Sequence, residues 1–311
     1  MNTNTIEIRV YGLMRSGNHA IIEWIQNQFP DQPKCFLNNV KHGNFSPFNN
    51  YSQKVVSKID SHIDDETLRK VSKHLLIYSY EDRNHLEIQN IDFLSSVFQP
   101  DFEKNRERFL GKSEYRFDVA IIRDPFNCFA SRMVAISKRG GMGGVRDMEL
   151  VVKSWKQLAK HVIANKESPK PENITINYNS WNSDINYRKY ISQKLMGMFN
   201  DVTLNIIPSF GKGSSFGELN ITKITAKDIF LNWRKIFKFK RLMNIHHYIR
   251  RFISPKTSLN RNVFFERWKL LSNNQHFRNI FLDSEILELS EIIFGEIPET
   301  RQFVDSINKG Y

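Results

Sequence analysis

Cysteine is nearly absent: only Cys35 and Cys128 occur in 311 residues. That excludes a disulfide framework and a cysteine-rich zinc module. No apolar run approaches the roughly 18 residues that a membrane span requires. The opening MNTNTIEIRVYG lacks the basic start and long apolar core of a signal peptide. No internal repeat or low-complexity tract is visible. Secreted, transmembrane and zinc-finger readings drop out, and a cytoplasmic protein is expected. What is present is a folded composition, with 25% charged and 13% aromatic residues. A chain this long buries a sizeable core without staples. Its length fits two average domains or one large α/β domain. We read residues 1–311 as one domain with a basic, mainly helical insertion at about 220–262.

Acidic residues are in deficit, 33 against 45 basic, for a net charge of +12. The excess favours anionic partners, whether nucleic acid, an anionic membrane face or a phosphorylated ligand. Much of it lies in RKIFKFKRLMNIHHYIRR, Arg234 to Arg251, interleaved with Phe and Ile. A basic helical surface accounts for that stretch without any ligand.

Hydrophobic periodicity alternates strands with helices. Ile6 to Tyr11 reads as a strand, although Glu7 and Arg9 make it wetter than a central parallel strand should be. Ala20 to Gln28 reads as a helix, as does Asp64 to His74, which leads into the strand LLIYSY, Leu75 to Tyr80. FDVAII, Phe117 to Ile122, is a buried strand, after which Asp124 caps and Pro125 opens a helix through about Ile136. GGMGG, Gly140 to Gly144, reads as a loop. A helix over Met148 to Asn165 follows, then a strand from Ile174 to Tyr178, then helices to the end, the last near Ser284 to Phe294. The expected fold is α/β, a parallel sheet flanked by helices on both faces, with a helical C-terminal part. Ligands of such sheets sit at the carboxyl ends of the strands.

Two loops at that edge carry chemistry. The first strand ends in Gly12-Leu-Met-Arg15-Ser16-Gly17-Asn18-His19-Ala20, and a helix starts at once. A glycine turn entering a helix offers backbone N–H groups and the positive dipole end to an anion. The glycine spacing is that of a Walker A loop, but Asn18 and His19 stand where Lys and Ser/Thr are required. The usual magnesium hydroxyl is therefore missing, while Arg15 supplies one cation. In the second loop, Arg123 stands at the end of the buried strand and Ser131 lies eight residues on, two turns into the helix. An arginine and a hydroxyl so placed clamp a second phosphate at the same edge.

Arg15-Ser16-Gly17 together with Arg123 and Ser131 resembles the P-loop sulfotransferases that use 3'-phosphoadenosine 5'-phosphosulfate (PAPS). ITINYNSW, Ile174 to Trp181, looks like the family's strand whose tyrosine lies near the adenine, here Tyr178. GKGSSFG looks like its late loop, closing on the 3'-phosphate through Lys212 and Gly213. The resemblance covers roughly residues 5–217, with a tail from Glu266-Arg-Trp268 to Gly295. It implies a PAPS site of Arg15, Ser16, Gly17, Asn18, His19, Ala20, Arg123, Ser131, Tyr178, Lys212 and Gly213, with adenosine 3',5'-bisphosphate as product and no metal. Asn18 is expected to donate to a phosphate, and His19 to do so or to reach the sulfuryl oxygens.

The resemblance further implies in-line sulfuryl transfer, by positioning and charge stabilisation. Arg15 neutralises the leaving phosphate oxygen and His19 is the alternative acid. Family members use a histidine or a glutamate as general base just after the strand between the two loops. Here Glu81 and His85 both qualify, with His19, Asp82 and His42 as alternatives. Trp155 and Cys128 are expected in the core. Lys138, Arg139 and Arg146 around GGMGG suggest a lid or a solvated turn.

Three other readings compete. A nucleotide kinase-like phosphotransferase needs the missing Walker residues. A nucleic-acid-binding protein explains the charge but not the placement of Arg15, Arg123, Ser131 and Lys212. A non-catalytic nucleotide-binding protein differs only in lacking a base. The acceptor expected is a small molecule, of natural-product type, with a saxitoxin-type alkaloid as one option. Nucleic acid is not expected as a partner, and a homodimer is left open.

Overall fold

A computed structural model of the chain describes residues 3–41, 46–82, 92–137, 144–202, 204, 266–296 and 298–308. Six strands form one sheet: β1 (Asn4–Gly12), β2 (Lys34–Asn38), β3 (Gln53–Ser57), β4 (Lys73–Glu81), β5 (Ser113–Ile122) and β6 (Asn173–Asn177). Their order is β3-β2-β4-β1-β5-β6. All neighbours run parallel except β2 and β3, an antiparallel pair. The helices are α1 (Asn18–Asn27), α2 (Asp65–Lys70), α3 (Phe93–Val97), α4 (Pro100–Leu110), α5 (Pro125–Ser137), α6 (Gly144–Glu167), α7 (Tyr178–Ser183), α8 (Ile185–Lys194), α9 (Gln275–Ile280), α10 (Ser284–Phe294) and α11 (Pro298–Asn308). The expected parallel α/β architecture is present. The hairpin β2–β3 and helix α4 were not anticipated. Gly144, expected in a loop, is the first residue of α6, and Tyr178 opens α7 instead of closing a strand. Among the described residues no helix is long and apolar enough to cross a membrane.

The strand period of two divides the core between the two faces of the sheet. Ile6, Ile8 and Val10 of β1 face Ile21, Ile22 and Ile25 of α1, with Ile121 and Ile176 alongside. Tyr11 of β1 joins Tyr78, Ala120 and Ile122 on the other face, against Phe129 of α5 and Trp155 of α6. The C-terminal helices are seated there by aromatic rings. Phe126 stacks on Phe281 with centroids 4.3 Å apart, and Phe303 lies 5.0 Å from Trp268. Lys156 of α6 pairs with Asp283 and Glu285 at the start of α10.

This arrangement explains the wet pattern of the first strand. β1 is indeed central and buried, and Glu7 and Arg9 are buried with it, at 0% and 1% exposure. Each is matched by groups distant in sequence. The Glu7 carboxylate accepts from Tyr78 Oη (3.0 Å), Arg106 Nε (2.6 Å), Ser113 Oγ (2.5 Å) and Arg116 Nε (3.2 Å). Arg9 grips Asp118 with Nε and Nη2, both at 2.8 Å, pairs with Glu103, and lies over the Phe98 ring. A charge can be central in a sheet only when it is matched so closely. Removing Glu7 takes from Arg106 and Arg116 their nearest carboxylate, at 2.6 and 3.2 Å. Glu7→Ala is expected to lower unfolding free energy by about 3–5 kcal/mol, the typical cost of breaking a buried ion pair. Urea denaturation checks this, and a loss below about 1 kcal/mol would contradict the network's role.

Candidate nucleotide and proton-transfer site

The register of the parallel strands places the predicted residues at one edge. Gly12, the last residue of β1, lies opposite Glu81 of β4 and Ile121 of β5. Ile122 in turn faces Asn177 of β6. The strand ends therefore deliver Arg15, Glu81, Arg123 and Tyr178 to a common rim. Gly12 is fixed by crowding: a Cβ there would meet Ile121 O and Asn18 Oδ1, each at 2.7 Å.

The first loop is held from several sides. Its Met14 N–H donates to Asp82 Oδ1 at 2.8 Å. Arg123 Nη1 donates to the Arg15 carbonyl at 3.1 Å. The Asn18 side-chain amide donates to the carbonyls of Gly12 and Leu13, both at 3.2 Å. Asn18 therefore turns its donor into the loop, not outward to a phosphate as expected from sequence. Ser16 Oγ lies 3.7 Å from Cys128 Sγ. Under these restraints Arg15 adopts φ 77°, left-handed and uncommon for a side-chain-bearing residue. Such strain persists where the surroundings over-determine the backbone, and it clusters at ligand clamps.

Gly17 follows at φ 90° and caps α1, giving no side-chain hydrogen bond to the helix, whose first turn holds no acidic residue. Gly17 thus offers the N–H groups of that turn no side-chain cap, which suits a helix start that meets an anion. Tyr178 covers the glycine: a Cβ at Gly17 would lie 2.1 Å from its Cε2. The Arg123 guanidinium sits over the same ring, 4.9 Å from its centroid. Three segments read separately in sequence as phosphate loop, second phosphate clamp and adenine-side tyrosine thus meet through Arg123.

Asp82 is buried in an ion pair with Arg132, Nη2 to Oδ2 2.7 Å. With its other oxygen on the Met14 amide, it ties the loop to Arg132. Asp124 Oδ1 accepts from the Asn127 amide at 2.8 Å, the expected cap of α5. Ser131 is buried on that helix. Trp155 is fully buried and donates to the Arg123 carbonyl at 3.0 Å, so a core residue also supports the site. Ala20 lies in the first turn of α1. His42, His85, Lys212, Gly213, Lys138, Arg139 and the basic stretch 220–262 lie outside the described residues.

The remaining titratable groups form a small cluster. Glu81 is 7% exposed, with Oε1 3.4 Å from Asn18 Nδ2 and 3.7 Å from His19 Nε2. His19 Nε2 also lies 3.2 Å from Asn38 Oδ1, at the end of β2. Asn38 was missed in sequence because the short strand that carries it was not read as one.

A parallel α/β sheet with a glycine loop entering a helix at its carboxyl edge is an arrangement able to receive an anion. No protein-family model matches the chain, and no curated protein does. Among solved structures, the mouse sulfotransferase SULT7A1 complexed with PAP is similar over 96% of this chain and 88% of its own, at 14% identity and a TM-score of 0.45. The sulfotransferase domain of the Synechococcus PCC 7002 olefin synthase is similar over 96% of this chain and 98% of its own, at 11% identity and a TM-score of 0.42. At that similarity neither structure assigns this chain an activity.

Two predictions test the geometry. Gly17→Ala should cost about 1–2 kcal/mol for the left-handed backbone, plus the clash with Tyr178. In a Tyr178→Ala background only the backbone cost should remain, so a urea double-mutant cycle should show coupling above about 0.5 kcal/mol. Additive effects would place Tyr178 elsewhere. Burial pushes the Cys35 thiol up to about 12 and the Cys128 thiol up to about 11. Iodoacetamide at pH 8 should modify neither in the native protein and both in urea, since the thiolate carries the reaction. Rapid native labelling of Cys128 would contradict its packing against Ser16.

Proposed function

We propose that the protein is a sulfotransferase that moves the sulfuryl group from PAPS to a hydroxyl or amine of a small-molecule acceptor. The observation that carries this reading is the meeting of Arg123 with the Arg15 carbonyl and the Tyr178 ring. The motif resemblance assigns those three positions to the second phosphate clamp, the phosphosulfate loop and the adenine side of one nucleotide. A site for a nucleotide with phosphate at both the 5' and 3' positions requires that convergence. The glycine-led first turn of α1 and the Arg15 side chain suit the 5' end.

In this reading the chain's own groups do the following. The first-turn N–H groups of α1 and Arg15 hold the bridging phosphate and stabilise the charge that grows on it as the S–O bond breaks. Arginine stays protonated, so its role is electrostatic and not acid catalysis. Arg123 and Ser131 hold the 3'-phosphate. Binding there would exchange part of the Arg123 contact with Tyr178 for phosphate oxygens. Glu81 and His19 stand at the same rim to receive the acceptor's proton. Natural-product tailoring, with a saxitoxin-type alkaloid as one acceptor class, is the proposed biological setting, in the cytoplasm. Glu81, buried at the rim, gives a cationic acceptor one carboxylate.

The test is PAPS-dependent turnover against a panel of phenols, alcohols and amines, read as release of adenosine 3',5'-bisphosphate. Arg15→Ala should lower kcat by about 10²–10³, the usual cost of one transition-state donor. Arg123→Ala should weaken binding of the bisphosphate by about 10- to 100-fold, the scale of hydrogen bonds to a charged group. Mg-ATP-dependent phosphoryl transfer in place of PAPS turnover would overturn the reading.

A further inference from the structure

We propose that the turn from Met196 to Val202, with the adjoining face of α8, docks this protein on an anionic lipid bilayer. The proposal is independent of the sulfuryl-transfer function above. Of the ten large apolar side chains exposed among the described residues, six lie between Ile185 and Val202. They include Tyr190 on α8 and Met196, Met198, Phe199 and Val202 in the turn, with Met198 71% and Val202 78% exposed. Single apolar side chains scattered over a surface need no explanation, whereas a cluster of them marks a place where a partner or a membrane binds.

The backbone that carries the cluster is fixed. Met196 has φ 61°, the left-handed position that usually falls to glycine at a helix end. The Gly197 N–H donates to the Ser192 carbonyl at 2.9 Å, and Ser192 Oγ donates to the Gly197 carbonyl at 3.3 Å. Gln28, just past the end of α1, holds the turn at three points. Its carbonyl accepts from the Met198 N–H at 2.7 Å, and its Oε1 accepts from the Asn200 N–H at 2.9 Å. Its Nε2 donates to the Asn200 carbonyl at 2.8 Å. The Asp201 carboxylate accepts from Trp24 Nε1 at 3.0 Å and from Arg188 Nη2 at 2.9 Å. These polar groups are engaged within the protein, while the apolar side chains beside them stay in water. Backbone that enters lipid must have its polar groups satisfied beforehand, because hydrocarbon offers no hydrogen bonds.

Charge selects a bilayer over other occupants. Residues 185–202 hold three basic side chains and one acidic. Arg188 and Asp201 neutralise each other, which leaves Lys189 and Lys194, both exposed. Lys189 Nζ lies 5.8 Å from the Phe199 ring centroid, and Lys194 Nζ lies 5.6 Å from that of Tyr190. Each ammonium therefore stands beside an aromatic ring, an amphipathic pair suited to the headgroup level. Rings and lysine stems meet the acyl chains there, and the ammonium groups meet anionic headgroups. A two-fold copy of the chain would set the lysines of one patch near those of the other, and lysine is depleted at interfaces between proteins. Helix α1 begins at the phosphate-loop rim and ends beside this turn, and its ten residues span about 15 Å. Docking at this edge keeps the rim clear of the bilayer.

The test floats the full-length protein with vesicles of phosphatidylcholine alone and of phosphatidylcholine with about one-third phosphatidylserine. Binding is expected to the anionic vesicles, and high salt should weaken it by screening the lysines. Lys189→Gln and Lys194→Gln should each cost about 5-fold in affinity, the equivalent of about 1 kcal/mol per basic residue at an anionic surface. Met198→Asp combined with Val202→Asp should cost at least about 10-fold, because carboxylates then stand where apolar groups enter. All four side chains are exposed, so thermal midpoints should match wild type and exclude a folding defect. A Met198→Trp variant gives a second measurement: on anionic vesicles its emission should shift to the blue and be quenched by brominated lipid. Wild type that binds neither vesicle, or both equally, would overturn the proposal. So would a double aspartate variant that binds as tightly as wild type, or an unquenched tryptophan on bound vesicles, since the contact would then lie elsewhere on the basic surface. A wild-type mass that doubles with concentration, stays single in the double aspartate variant and comes without vesicle binding would overturn it in favour of a second copy of the chain.

Discussion

The Arg123 guanidinium is the contact on which the site depends. It reaches from the end of β5 to the carbonyl of Arg15 and lies over Tyr178. The backbone oxygen of Arg123 is itself held by the Trp155 indole from the core. One residue thus couples the phosphate loop, the second loop, the end of β6 and the packing of α6. A charge so placed is buried at 5% exposure among donors and acceptors that it orders. Low local dielectric strengthens each of these contacts and makes an unmatched group costly.

The same rule organises the sheet below. Glu7 and Arg9 occupy the middle of the central strand because Arg106, Arg116, Asp118 and Glu103 reach them from α4 and β5. The network fixes the mutual register of β1 and β5, and that register brings Gly12 beside Ile121 and hence Arg15 beside Arg123. Above, the first loop is restrained at Met14 by Asp82, at Arg15 by Arg123, and at Gly12 and Leu13 by Asn18. Such preorganisation is what electrostatic stabilisation of a transition state demands.

Much of the fold was legible in the sequence, because long apolar strands and capped helices are local signals. Phe117 to Ile122, the Asp124 cap and Ser284 to Phe294 depend on nothing remote. The edge residues Arg15, Gly17, Arg123 and Tyr178 were legible for the same reason, since each follows a strand end by a fixed count. Other features depended on distant partners. The matching of Glu7 and Arg9 comes mostly from residues more than ninety positions away, so the alternation looked wrong for a central strand. β2 and β3, five residues each, carry lysine and glutamine within short apolar runs and gave too weak a period. Asn38 was lost with them, and with it the contact with His19 Nε2. Asp82 read as a candidate base, and its contacts with Met14 and Arg132 were not legible in the sequence.

The central claim is that this rim recognises phosphate at both ends of an adenosine without help from a metal. Calorimetric titration with adenosine 3',5'-bisphosphate, set against ADP and ATP with and without magnesium, addresses it most directly. The account predicts tight, magnesium-independent binding of the bisphosphate and weak binding of ADP and ATP. Preference for Mg-ATP, or no binding of any of the three, would contradict it.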